Sequence, residues 1–147
     1  MLRKIYVMET LFVKLVILYS GVDFMITKPF IPVQASVSGI IVNLDIQESS
    51  DIMGWHAGFC IEFNPTYSIC YNLESFGHGS AVEQLVKNGV FFKNGDYVEQ
   101  GQYIANLIYG GSGSHIDFGI GTMGTRICPE PYFTAAARES VMRLIAI

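Results

Sequence analysis

The sequence predicts a single mainly-β domain, and three observations predict it. Its apolar residues fall in many short runs, several of them alternating, cut every few positions by Gly, Pro, Asn or Asp. Half of the 147 residues are hydrophobic and only 15% are charged, so the chain can bury a sizeable core and disorder is excluded. Finally, His115-Ile116-Asp117-Phe118-Gly119-Ile120 alternates, so that His115 and Asp117 leave one face of a strand while Ile116, Phe118 and Ile120 leave the other.

The elements follow in order. Met1-Leu2-Arg3-Lys4 and the apolar stretch behind it have the outline of a signal peptide, but Glu9 and Lys14 interrupt it and no small-residue cleavage site follows. Residues 11–18 are therefore read as a buried strand, and their apolar run is far short of the ~20 residues a membrane-spanning helix needs. Residues 22–26 form a second run, read as a continuation of the first. Lys28-Pro29 breaks the chain before a strand over 32–35, and Ser38-Gly39 turns it into another over 40–44. Residues 47–53 are polar enough for a loop. Residues 58–63 and 67–73 pair as a hairpin around Asn64-Pro65-Thr66, followed by a loop over 74–80. Residues 81–87 suit one short helical turn and 90–93 a short strand. Gly95 to Gly101 is a turn that hands the chain into a buried strand over 103–109. A Gly/Ser loop, Gly110 to Ser114, then leads to the strand 115–120. After Pro129 and Pro131, Thr134 is placed to cap a C-terminal helix over 134–146, with Ala137, Val141, Leu144 and Ile145 on one face. No linker divides residues 1–147.

A net charge of −4 and a pI near 5.2, with no Lys/Arg cluster, exclude nucleic acid as the main partner. Three cysteines without a CxxC pair, and three histidines, cannot build a zinc ribbon or finger. Cys60 and Cys70 flank the hairpin centre symmetrically. Two reduced cysteines packing as small apolar groups is the expectation, and a bond across the hairpin is the alternative.

Two stretches carry a resemblance. Pro32-Val33-Gln34-Ala35-Ser36-Val37-Ser38-Gly39-Ile40-Ile41-Val42 resembles the opening of barrel-sandwich hybrid domains, and Gly95-Asp96-Tyr97-Val98-Glu99-Gln100-Gly101-Gln102-Tyr103-Ile104-Ala105 resembles their second half. Biotinyl and lipoyl carriers share that pattern, so it speaks to architecture alone. Gly21-Val22-Asp23 before it and His115-Ile116-Asp117-Phe118 after it make the order similar to the lysostaphin-type zinc endopeptidases of bacterial cell walls, over residues 15–121. The resemblance implies a barrel-sandwich hybrid fold (the duplicated hybrid motif) and a place in the bacterial cell envelope. It also implies a zinc site on the positions occupied by Tyr19, Asp23 and Asp117, with His115 as a catalytic histidine. The middle catalytic histidine of the family falls on Leu73, within Tyr71-Asn72-Leu73.

Those substitutions change the chemistry that the resemblance implies. Hydrolytic zinc needs about three deprotonated protein ligands and an open position for water. Asp23 and Asp117 supply oxygens, but the Tyr19 phenol ionises only near pH 10, and two carboxylates without imidazole suit Mg²⁺ or Ca²⁺ better than zinc. The expectation is a degenerate metal site with no cofactor, in a domain that binds a cell-wall peptide or glycan, or a protein. The alternative is a metallo-endopeptidase with Asp23 and Asp117 on a zinc or other divalent ion, a water or Tyr19 completing its coordination, and His115 as base. A cofactor carrier is a third reading, weakened because no lysine stands at the hairpin centre. His78 is weighed as a replacement for the missing histidine and read as a solvated loop residue, His56 as structural, and the Gly110–Ser114 loop as the flexible rim of a cleft.

Overall fold

The computed structural model describes residues 14–18, 21–136 and 138–139. Among these described residues, ten strands and one α-helix follow one another as β1 (Lys14–Leu18), β2 (Gly21–Met25), β3 (Phe30–Gln34), β4 (Gly39–Glu48), β5 (Trp55–Glu62), β6 (Tyr67–Glu74), α1 (Gly79–Asn88), β7 (Tyr97–Val98), β8 (Tyr103–Ile108), β9 (His115–Thr122) and β10 (Thr125–Ile127). The mainly-β expectation holds. Eight strands form a curled antiparallel sheet in the order β1-β2-β9-β6-β5-β4-β7, with β10 paired to the end of β9. β3 and β8 form a second, two-stranded sheet.

One face of the large sheet makes the core. Phe24, Ile41, Phe59, Ile61, Ile69, Tyr71, Leu73, Ile116, Phe118 and Ile120 are buried from it, in one cluster with Ile31, Val33, Ile104 and Leu107 of the small sheet. Phe59 stacks on Tyr71 with centroids 4.9 Å apart, and Phe118 meets Tyr71 edge-on at 5.3 Å. The Tyr71 hydroxyl is buried with them. It accepts from the Ser36 backbone N–H at 2.9 Å and shares a hydrogen bond with Ser36 Oγ at 2.7 Å, and burial pushes its pKa up to about 12.

Several sequence expectations are corrected. β1 and β2 are not continuous but pair antiparallel, with Leu18 opposite Gly21. β4 runs on to Glu48, because the half-buried Leu44 and Ile46 go on alternating with Asp45 and Gln47 past a bulge at Asn43. The helical turn is a full α1 of ten residues, seating Val86 in the core. In place of a strand over 90–93 there is a single bridge, Val90 to Ala105. Cys60 and Cys70 are not reduced. Their residues lie directly opposite each other on β5 and β6, and they form a disulfide.

The stretch from Gly95 to Ala105 is the turn and buried strand it was read to be, with β7 added. Gly95 and Gly101 take φ of 91° and 84°, a left-handed backbone that other residues rarely adopt. The Gly101 N–H then donates to Ala35 C=O at 2.7 Å, tying the two motif halves together. At the other end, the Arg138 N–H donates to Thr134 C=O at 2.8 Å, a helical bond at the expected start. The rest of the 134–146 helix, its Ala137, Val141, Leu144 and Ile145 face included, lies outside the described residues.

Candidate functional site

The second face of the large sheet carries the polar residues, and strand register decides which of them meet. β9 lies between β2 and β6. Asp117 pairs with Asp23 on one side and Asn72 on the other, while His115 pairs with Met25 and Glu74. The rows continue outward, from Asn72 to Gly58 and Asp45, and from Glu74 to His56 and Gln47. Since Phe24, Tyr71, Leu73, Ile116 and Phe118 are committed to the core, the period-2 pleat sends Asp23, Asn72, Glu74, His115 and Asp117 to the opposite face.

The register thus brings His115, Asp23 and Asp117 together as the sequence motifs implied, and adds Glu74. The His115 ring is fixed first. Its Nδ1 lies 2.7 Å from Gly113 C=O, and because a carbonyl only accepts, Nδ1 is the protonated donor. Nε2 therefore faces inward, 3.5 Å from Glu74 Oε2 and 3.9 Å from Asp23 Oδ2. All three side chains are largely enclosed. Burial raises the Asp23 carboxyl above its ordinary value; His115 and Arg126 pull it down, and Asp117 adds to the rise. Glu74 is raised for the same first reason, with His115 opposing it and Asp117 reinforcing it. Its Oε1 accepts from Asn72 Nδ2 at 2.6 Å, whereas Asp23 Oδ1 is buried without a hydrogen-bond partner among the described residues.

Asp117 is engaged differently. Arg126, on β10, reaches back over β9 and grips it with both ends of the guanidinium, Nη1 to Oδ2 at 2.6 Å and Nη2 to Oδ1 at 3.0 Å. This fork-on-fork pair uses both carboxylate oxygens and neutralises the charge. Among the described residues, no group of three or more His, Cys, Asp or Glu is placed to hold a metal ion. Tyr19 lies outside the described residues.

The loop before β9 is not a flexible rim. A Cβ on Gly110 would stand 2.7 Å from Gly77 Cα, and one on Gly113 would stand 2.7 Å from the Phe76 ring. Ser114 is fully buried, its Oγ donating to Ser75 C=O at 2.5 Å. The glycines are there for close packing, which seats the Gly113 carbonyl that orients His115. Phe76, itself at φ 54°, also lies against the His115 ring, with centroids 5.4 Å apart. His78 is a half-exposed residue at the entry to α1, 3.0 Å from Glu48, and takes no part in the His115 cluster. His56 Nδ1 bonds Gly54 C=O at 3.2 Å.

Two participants escaped the sequence reading. The Tyr71-Asn72-Leu73 assignment placed the missing histidine on Leu73, but Leu73 is core, and the residue facing His115 is Glu74. Counting alternation outward from Ile69 and Tyr71 would have found it. Arg126 carried no such signal. Its reach depends on the β9–β10 hairpin, three residue pairs long.

Fold and site together describe a polar, largely enclosed His–carboxylate cluster on the second face of a curled antiparallel sheet. No protein-family profile matches the chain, and no curated protein matches it. Solved structures do, among them the following two. One is a zinc-containing peptidase from Vibrio cholerae, 21% identical, with a TM-score of 0.49 over 74% of this chain. This chain covers 28% of that peptidase's length. The other is a mutant catalytic domain of the prophage-encoded M23 protein EnpA from Enterococcus faecalis, 22% identical, with a TM-score of 0.49 over 77% of each chain.

Proposed function

We propose that this domain is a peptidase-like module that has lost zinc hydrolysis and uses the polar sheet face around His115, Asp23 and Glu74 to hold a peptide or glycan, of the kind found in bacterial cell walls. The observation that carries this reading is the Arg126–Asp117 fork. The sequence motifs would make Asp117 a metal ligand, yet a divalent ion would have to displace a guanidinium bound through both oxygens. The donor set argues the same way. The positions that the resemblance makes metal ligands hold no imidazole, and two carboxylates suit a harder ion than the zinc that would polarise a carbonyl and activate water. The residues present do not fit zinc. What they do offer is a rigid polar surface crossing several strands, with side chains whose rotamers are fixed by Gly113, Asn72 and Arg126.

The test is metal analysis of the purified chain together with a cleavage assay on glycine-rich and muropeptide substrates. Zinc far below one per chain and no cleavage are expected. In Arg126→Ala, freed of the competing guanidinium, weak divalent-ion binding should appear where the unaltered chain has none. Stoichiometric zinc with hydrolysis, abolished by His115→Ala in a folded variant, would establish the metallo-endopeptidase in its place.

A further inference from the structure

We propose that the outer face of the small β3–β8 sheet, turned away from the His115 cluster, joins two copies of this chain as a weak dimer. The proposal is independent of what the polar face holds.

The pleat exposes an aromatic strip there. Ile31, Val33, Ala105 and Leu107 are buried in the shared core, so Phe30, Pro32 and Gln34 stand on the outer side of β3. Where the register shifts between Val33 and Gln34, Ile104 and Ala105 are both buried and Tyr103 is left outside. A third segment runs along the far side of β8. Val90 bridges to Ala105, and the Phe91 N–H donates to Ile104 C=O at 3.0 Å. The Phe91 and Tyr103 rings lie 5.2 Å apart, and the Tyr103 hydroxyl donates to Asn106 Oδ1, which leans its ring towards the Pro32–Asn106 pair. Phe30 stands beyond that pair, next to Pro29, whose C=O accepts the Tyr109 N–H at 2.9 Å.

Charge, area and shape together name a second copy as the occupant. The chain carries a net charge of −4, so two copies repel wherever their acidic surfaces meet. None of residues 29–44, 88–92 and 100–114 is charged; along the chain, Lys28, Lys93 and Glu99 border them. An acidic or basic partner finds no counter-charge on this face, whereas a copy of the same face meets no like charge. Aromatic residues without charges are the composition of an interface centre. Phe30, Phe91, Tyr103 and Tyr109 are 57%, 51%, 44% and 38% exposed. At ~200 Å² per ring they offer about 400 Å², half of the ~800 Å² that each partner brings to a standard interface, so the pair is a weak one. The strip also complements itself. A two-fold axis through the Pro32–Asn106 centre sets Phe30 of each copy against the Phe91–Tyr103 pair of the other, as an isologous contact requires. Pro32 has no N–H to give and stands on an edge strand, which disfavours edge-to-edge strand addition and leaves the face as the meeting surface.

Sedimentation equilibrium of the full chain over about 5–500 µM, the range of a weak interface, tests this. A concentration-dependent monomer–dimer equilibrium is expected. Phe30→Lys and Phe91→Lys should each weaken it at least tenfold at an unchanged melting temperature. Met123→Lys, which changes a residue 90% exposed on the β9–β10 turn, should leave it unchanged. A chain that stays monomeric throughout overturns the proposal, and so does a dimer that both Phe30→Lys and Phe91→Lys leave intact. A neutral glycan that binds a monomeric chain and is lost in Phe91→Lys overturns it too, and gives the face to the glycan.

Discussion

At the scale of single residues, burial is set against charge. Asp23 and Glu74 are carboxylates on a sheet face that encloses them, and burial outweighs His115 in raising both above their ordinary values. The sign follows from linkage. A carboxyl that holds its proton more tightly folded than unfolded favours the fold at low pH, and that advantage is lost as pH rises from about 4, the unfolded value, through the folded one. At pH 7 the Asp23 charge therefore costs stability. Asp23→Asn should melt higher than the parent at pH 7, with the gap closing as pH falls towards 4. A parent that melts at or above the variant at pH 7 would contradict the burial account. Such a cost, kept at a polar site, is what a residue held for binding would show. The pairing of His115 with Asp117 on one face was legible from alternation alone. Glu74 was legible in principle and missed through an assignment one position off, whereas Arg126 depended on a chain reversal that its three-residue strand does not announce.

At the scale of elements, the β5–β6 hairpin is the support of the site, since β6 carries Asn72 and Glu74. The Cys60–Cys70 bond lies on the same polar face, because Phe59, Ile61, Ile69 and Tyr71 take the core side. It closes a separation of ten residues, and the loop-entropy model gives such a loop about 2–3 kcal/mol. The ladder around it already constrains the hairpin, so the lower end is expected. Guanidinium titration with and without a phosphine reductant should show a stability loss of about 2 kcal/mol, with a slope no shallower once the reduced unfolded chain is free to expand. No loss would mean the ladder alone holds the register. Whether the two cysteines join was open in the sequence, because spacing around Asn64-Pro65-Thr66 is compatible with either state. Only the pairing of Cys60 directly with Cys70 decides it.

At the scale of the whole molecule, the small β3–β8 sheet makes the large one a closed layer with a single usable face. Leu107 is fully buried at that junction, and Leu107→Ala should cost about 2–5 kcal/mol, seen as a lower urea midpoint with an unchanged slope. A cost below ~1 kcal/mol would mean that the two sheets are not packed as one core. The mainly-β class, the hairpin, the Gly95–Ala105 turn and the parity of β9 were all determined by local physics: apolar period, turn residues and the φ that only glycine adopts easily. These signals are complete within a few residues. The tertiary structure alone decided that Glu74 faces His115, that Arg126 closes on Asp117, that the Gly110–Ser114 loop is packed tight, and that the cysteines bond. Each of those contacts joins separate strands or turns, and their register is set by how the whole apolar face packs, which no short stretch of sequence contains.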